Sequence, residues 1–499
     1  MSKKKSILVA TIGTRDLAFQ VSSQEWLNLG NDRAPDGDSI SEQALVQMEL
    51  GLDRSDFRLL SEYLLENWET YQHKLQPIIL GQLLQDESKN IKQIYLVATD
   101  QLETPKTSKF RGKDTLHSAE IIKKWIKSRY QVSTEVILQG SEGGNPADFE
   151  EMFRWWKQTW RDITTNWDEK TLVLLSVKGG VGAFSEAARV TALSRFGENT
   201  LFYDFIPDDE RNRKGEASNY TIPLKGTNYL WDRKQQEGLA LLKRYDYEAV
   251  GRTLQSYWRT SDTSSANGQL ILRVKSLIEA ATKWNTGNFL EFAKDLGESA
   301  TTRQRQWWWT GYEAAYLGQI RFKQGNTVEA MFHSFRAVEG LMSEWALHTF
   351  PQDTIRRDRL DDMAKTQVPL VKRSIANHPG LRTYLNEFQG NSEIPLYSQT
   401  LDNLVQQAKP NYRDCVDILQ FWNVAKIWRN QLFHRLLGLQ KEEVFRAWGT
   451  SNYTTREWES RVLGCLNFLS GKEFSSLSEA SLMSQVHREL EEAIASYQP

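Results

Sequence analysis

Arg429, Asn430 and His434 bring together side chains that can act on a phosphodiester. A guanidinium grips a phosphate through its planar fork. An imidazole titrates near neutrality, so it can move the proton of a ribose 2′-hydroxyl or of a leaving 5′-oxygen. Together the two groups suffice for RNA cleavage without a metal: the 2′-oxygen attacks the neighbouring phosphate, leaving a 2′,3′-cyclic phosphate and a 5′-hydroxyl. Asn430, four residues before His434, shares its helical face and could orient the imidazole or bind a phosphate oxygen. The spacing is not specific by itself. It recurs from Arg373 to His378, where Pro379-Gly380 puts the pair at a helix end or in a loop. A cation pair beside a helix C-terminal dipole is the plainer meaning of Arg429 and His434.

The element that must position them is the stretch 415–437, CVDILQFWNVAKIWRNQLFHRLL. Val416, Leu419, Trp422, Ala425, Ile427, Trp428, Leu432, Phe433, Leu436 and Leu437 make it apolar on most of a helical circumference. Such a helix belongs in a bundle or an interface. Arg429 falls about 140° from His434 on a regular helix. Either its stem curls round or the helix deforms, and Gly438 offers a left-handed stop.

The first half of the chain has a different rhythm. Short apolar runs at 6–12, 94–98, 134–138, 171–177 and 200–206 read as buried strands. Helical patterns at 43–84, 114–128, 147–163 and 185–194 alternate with them, residues 18–41 read as a polar loop or insertion, and 220–224 as a candidate edge strand. This is a doubly wound α/β domain. Ligands of such sheets sit at the strands' carboxyl ends, which singles out loops 11–15, 99–101 and 176–181. Lys178-Gly179-Gly180-Val181-Gly182 begins like a nucleotide-binding loop, but Ala183-Phe184 replace the required Lys and Ser/Thr, so NTP hydrolysis is not expected. Gly180-x-Gly182 after a strand, with Asp204 ending the next, fits a dinucleotide fingerprint only loosely, because Ser185 stands at its third glycine and the loop follows a late strand; a dinucleotide-dependent enzyme stays as a further alternative. The glycines still let backbone N–H groups approach an anion at a helix N-terminus.

From about residue 228 the pattern turns helical. YDYEAV (245–250), GNFLEF (287–292) and GNTVEA (325–330) recur at roughly forty-residue intervals, resembling degenerate helical-hairpin repeats. Helices follow at 326–347, 397–408, 414–437, 442–448, 456–469 and 477–497, with Arg336 and Glu339 able to pair at three-residue spacing. Trp307-Trp308-Trp309 points to helix packing, with base stacking as the alternative. The 499 residues allow two to four domains, and a net charge of −2 gives no global basic field, so any RNA site must be local. Cys415 and Cys465 read as buried thiols of a reducing compartment. Neither a signal peptide nor a membrane-spanning run is recognised.

Four carriers, in chain order, resemble one family, the CRISPR-associated CARF–HEPN ribonucleases that are accessory effectors of type III systems. ILVATIGTRD (7–16) resembles the family's first strand and ligand loop, and IYLVATDQ (94–101) its central strand and loop. SVKGGVG (176–182) stands where the family often has a Thr-Gly-Gly-Thr-type loop, with Val177-Lys178 and Val181 departing from that hydroxyl-rich pattern. FRAVEGL (335–341) and WRNQLFH (428–434) resemble the first and catalytic helices of a HEPN domain.

The resemblance implies a Rossmann-like CARF ligand-sensing domain at 1–226, an all-α linker domain at 227–325 and an all-α HEPN bundle at 326–499. It implies a metal-independent endoribonuclease of antiviral defence, activated by a cyclic oligoadenylate and cleaving single-stranded RNA with Arg429, Asn430 and His434. Thr11, Gly13, Thr14, Arg15, Thr99, Gln101, Lys178, Gly179 and Gly180 are the expected ring contacts, with Arg15 and Lys178 offsetting phosphate charge. Cyclic tetra-adenylate is expected ahead of hexa-adenylate, with no metal or other cofactor. Related homodimers place a ring across the two-fold axis and two HEPN motifs in one cleft. A second copy of the chain, higher oligomers and RNA are thus the expected partners, without a membrane, in the cytoplasm. Arg373 and His378 then become structural. A CARF sensor or scaffold with an inactive HEPN domain, and a nuclease that degrades its own ring, are the alternatives.

Overall fold

The computed structural model describes residues 6–33, 39–53, 55–164, 167, 171–260, 264–350, 355–357, 364–367, 393–434 and 438–499. They form two compact units, 1–232 and 233–499.

Strand β1 (Ser6–Thr11) is buried along its whole length because both of its faces are covered. Ile7 and Val9 pack on one side with Trp156, Trp160 and Phe184. Leu8 and Ala10, pointing the other way, pack with Leu60, Leu64 and Ile122. Strands β2 (Leu17–Gln20), β3 (Trp26–Asn28) and β4 (Leu75–Pro77) make a small antiparallel sheet in the order β3-β2-β4. The main sheet adds β5 (Ile91–Thr99), β6 (Ser133–Gln139), β7 (Leu172–Ser176), β8 (Thr200–Tyr203) and β9 (Leu224–Lys225), in the order β6-β5-β1-β7-β8-β9. All neighbours are parallel except β9, which runs antiparallel to β8 at the edge. The chain builds outward from β1 through β5 to β6, then returns to the other side of β1 with β7. The order therefore reverses between β1 and β7, where the fold leaves a crevice at the strand ends.

The segment 18–41, expected to be a loop or insertion, is not a plain loop: it holds β2 and β3. Phe19, Leu27 and Leu29 are buried in the sheet's core, so this segment adds a layer to the domain. Its strands are too short to show alternation amid polar neighbours. The expected helix at 43–84 is likewise broken by β4.

Helix Gly226–Lys243 leads from the first unit into the second. There the three sequence repeats become three copies of one turn. Tyr245, Gly287 and Gly325 have φ of 59°, 77° and 81°. The residue after each caps the next helix: Asp246 accepts from Ala249 N–H (3.2 Å), Asn288 from Glu291 N–H (3.4 Å) and Asn326 from Glu329 N–H (3.1 Å). Its own N–H reaches back to the carbonyl of Leu241, Lys283 or Arg321 at 2.9–3.1 Å, as a left-handed helix stop requires.

Buried Glu313 on helix Trp309–Lys323 ties distant segments together. Its carboxylate accepts from Trp284 Nε1 (2.8 Å), Ser481 Oγ (2.7 Å) and Leu482 N–H (2.6 Å). The expected helix at 477–497 is accordingly two, Leu477–Ala480 and Leu482–Ser496, parted at Ser481. Within 326–499, read as all-helical, Ile355–Arg357, Ala364–Gln367 and Glu393–Pro395 pair as a small antiparallel sheet. These strands are too short and polar to carry a period-two signal. Both thiols are free; Cys465 is buried, but Cys415 is half-exposed just ahead of helix Val416–Gln420. Among the described residues no helix is long and apolar enough to cross a membrane.

Candidate functional site

The segment carrying Arg429 and His434 is not one regular helix. Val416–Gln420 and Lys426–Phe433 are α-helical, and a π-helical turn, Phe421–Ala425, joins them. Such turns recur at functional sites because the extra residue rotates everything downstream. Phe421 anchors this one, its ring 4.7 Å from Phe335 and 5.7 Å from Trp448. The deformation precedes Arg429 by a turn, so Arg429 and His434 keep their offset. The helix ends at Phe433, before the expected stop at Gly438, and His434 is its exposed C-terminal cap. Burial is also narrower than the sequence implied. Ile418, Phe421, Trp422, Ala425 and Leu432 are buried, whereas Val416, Ile427 and Phe433 are 66%, 53% and 41% exposed.

Arg429 reaches across the helix. Its guanidinium carbon lies 4.7 Å from the Phe335 ring and 5.6 Å from Phe433, a cation–π clasp. Its Nη1 donates to Asn430 Oδ1 at 2.9 Å. Arg429 and Asn430 also line a groove of about 1130 Å³, together with Lys426, Arg336, Trp307 and Tyr397. Arg336 and Glu339 do not pair: Glu339 Oε1 accepts from Ser398 N–H at 3.1 Å, and a Cβ on Gly287 would lie 3.4 Å from Arg336 Nη1. The second match, Arg373 and His378, lies outside the described residues.

In the first unit the loops after β1 and β7 cross at their glycines. Thr11 Oγ1 donates to Gly179 O at 2.6 Å, and Ser185 Oγ to the same oxygen at 3.2 Å. A Cβ on Gly13 would stand 3.0 Å from Gly179 Cα and from Gly180 N, so the two chains touch backbone to backbone. Gly180 has φ 95°, which a side chain would resist. Helix Gly182–Phe196 begins just beyond, with Val181 as an N-cap that offers no side-chain acceptor. Trp156 Nε1 donates to Phe184 O (3.0 Å) and Trp160 Nε1 to Thr191 Oγ1 (2.8 Å), which fixes this helix against its neighbour.

Among the expected contacts, Thr11, Gly13, Gly179 and Gly180 thus meet at the switch between β1 and β7. Exposed Arg15 donates to Asn31 Oδ1 at 3.4 Å, and exposed Lys178 lies 3.5 Å from Asp204 Oδ1. Thr14 is half-buried beside Gly30, where a Cβ would overlap it. Thr99 and Gln101 turn inward. Thr99 N–H donates to Thr115 Oγ1 (3.1 Å), and buried Gln101 gives both its N–H (2.8 Å) and its side-chain amide (3.0 Å) to Asp114.

No protein-family model and no curated protein matches the chain. Among solved structures, Csm6 of Enterococcus italicus bound to cyclic hexa-2′-fluoro-hexa-dAMP superposes with a TM-score of 0.58 at 13% identity. The match covers 98% of this chain and 99% of that one. The chain has the Csm6 fold. An α/β sheet followed by a largely helical region agrees with the CARF-plus-HEPN architecture of Csm6.

The sequence reading missed the carboxylates that hold the loops of this Csm6 fold. Asp16, fully buried, accepts from Gly13 N–H at 2.8 Å. Burial pushes its pKa up to about 7, against the lowering effect of that hydrogen bond. Asp114, also fully buried, is held by Arg58, whose Nη1 lies 3.1 Å from it and 2.8 Å from Asp100. Asp16 directly follows Arg15 in the loop after β1, and a carboxylate just beyond an apolar strand was the available signal. For Arg58 and Asp114 the sequence offered none.

Proposed function

We propose that the chain is a metal-independent endoribonuclease activated by a cyclic oligoadenylate, with a CARF domain at 1–226, a helical linker domain at 227–325 and a HEPN domain at 326–499. The observation that carries this reading is Arg429 and Asn430 together on the wall of a basic groove, with His434 exposed at the end of the same helix, in a chain of Csm6 fold. Arg429 holds the phosphate, His434 transfers the proton of the 2′-hydroxyl or the leaving 5′-oxygen, and Asn430 orients the guanidinium it already bonds. The ring's phosphates lie against the crossed glycine loops and the uncapped helix N-terminus after Gly180, with Arg15 and Lys178 at the rim. Thr11 and Gln101 support the site through bonds to Gly179 and Asp114. A second copy of the chain covers the exposed apolar residues Val416, Ile427 and Phe433, bringing two motifs into one cleft. Csm6 was solved with a six-membered ring, so both ring sizes require testing.

Cleavage of a fluorescent single-stranded RNA in EDTA, with cyclic tetra- or hexa-adenylate added, tests the reading. Turnover with one ring, reduced about 10²–10⁴-fold or more in His434→Ala, is expected. Equal turnover by that variant would refute the assignment. One observation favours a second reading, a ring-binding sensor without turnover: the Arg429 guanidinium is clasped by Phe335, Phe433 and Asn430. That reading requires ring binding with no cleavage at any ring size.

A further inference from the structure

The triple tryptophan divides its labour. Trp308 and Trp309 are 5% and 4% exposed and belong to the core. Trp307 is half-buried, stacks on His348 at 5.0 Å and 16°, and lines the same groove as Arg429 and Asn430. Tyr397, 52% exposed, lines it as well. Arg305, Arg336 and Lys426 bring positive charge to the same walls. Both of the groove's glutamates are engaged, Glu339 with Ser398 N–H and Glu344 with Arg357. Among the described residues no carboxylate pairs with Arg305 or Arg336. The volume of about 1130 Å³ exceeds the roughly 300–1,000 Å³ of a small-molecule pocket. Unpaired guanidinium groups beside partly open aromatic rings are what a single strand needs, with phosphates on cations and bases on rings. An acidic peptide would use the cations and leave Trp307 and Tyr397 without a role.

We propose that this groove carries single-stranded RNA to Arg429, with Trp307 stacking a base and Arg336 holding a phosphate. The proposal rests on the nuclease reading of Arg429 and His434, and its test separates the two. The probe is a fluorescent single-stranded RNA titrated by anisotropy, across a salt series, into full-length His434→Ala protein, with and without cyclic tetra- and hexa-adenylate. Adding Trp307→Ala should weaken binding about ten- to hundredfold, and Trp307→Tyr, which keeps a stacking face, should recover most of it. Adding Arg336→Ala should weaken binding and flatten the slope of log affinity against log salt by about 0.7, the value for one lost phosphate contact on a single strand. Arg336→Lys should retain that slope. Unchanged affinity in both alanine variants, or no RNA binding by the parent, would overturn the groove assignment whatever His434→Ala does to cleavage. Weakened binding in a protein that never cleaves RNA would uphold the groove and remove the nuclease.

Discussion

Substitution Gly179→Ala tests the crossed loops with one methyl group. Its Cβ would overlap Gly13 N and stand 2.6 Å from Thr11 O and 2.8 Å from Asp16 Oδ2. Ordinary contact needs about 3.4 Å or more, so the loops must part by about 1 Å. Two of these atoms are backbone at the end of a buried strand and cannot rotate away. Overpacking of this kind costs about 1–3 kcal/mol. Separation also breaks the Thr11–Gly179 hydrogen bond, worth about 0.5–1.5 kcal/mol. The sum, about 1.5–4.5 kcal/mol, lowers the melting temperature of a unit of this size by roughly 3–18 °C. Gly182→Ala is the control, because nothing lies within 4 Å of its Cβ; it should stay within about 0.5 kcal/mol of the parent. Calorimetry of the full chain reads the melting of both variants, and titration with cyclic tetra- and hexa-adenylate should find ring affinity at least about tenfold lower in Gly179→Ala than in the parent. A Gly179→Ala protein that melts and binds like the parent would refute both the close crossing and its role in ligand capture.

The buried ionisable groups supply three more predictions. Glu313→Gln replaces one acceptor oxygen by a donor amide facing Trp284, Ser481 or Leu482, leaving a buried donor unmet at about 1–3 kcal/mol; thermal unfolding should shift down by several degrees, and an unchanged midpoint would remove Glu313 as the clamp. Asp16, raised by burial from 3.8 to about 7, favours its protonated form in the folded loop. Its contribution is therefore full below about pH 4 and lost as pH rises through about 7. Melting curves from pH 5 to 8 should show this slope, and Asp16→Asn should flatten it. His333, buried between helices and lowered from 6.5 to about 4, runs the other way. Stability should be full above about pH 6.5 and fall as pH drops through about 4, and a His333→Leu protein with the same acid dependence would contradict that origin.

Much of the fold was legible because local chemistry agreed with global packing. Short, β-branched-rich apolar runs such as 171–177 suit strands covered on both faces, and their alternation with helices points to parallel pairing. The hairpin repeats were readable from Gly-Asn pairs, since a glycine at positive φ and a capping amide do the same work wherever they occur. Tyr245 shows why the first repeat looked degenerate. It holds φ 59° without being glycine, and its ring stacks on His487 at 4.6 Å, a contact made far along the chain. The β2–β3 segment was illegible for the opposite reason. Phe19 and Leu27 owe their burial to the main core, which a window of polar neighbours cannot reveal.

At the candidate site the residue types can be read from the sequence, and their geometry cannot. Spacing placed Arg429 about 140° from His434, and the structure keeps that offset instead of erasing it. The π turn at Phe421–Ala425 acts upstream, where it sets the rotation of the helix that carries Arg429 and Asn430 to the groove. No periodicity announces such a turn, and its Phe421 ring packs against Phe335 and Trp448, residues on two other helical stretches. The same Phe335 ring receives the Arg429 guanidinium. One side chain therefore both supports the helix distortion and holds the arginine in reserve. Under the proposed nuclease reading, a phosphate in the groove has to draw Arg429 off an aromatic face, at a cost of about 0.5–2 kcal/mol that a charge-assisted bidentate bond would offset. Phe335→Leu should therefore leave the arginine freer and the helix less constrained. If the π turn orders the site, its RNA turnover falls although Arg429, Asn430 and His434 are all present; turnover at or above the parent level would mean that the clasp merely restrains the arginine.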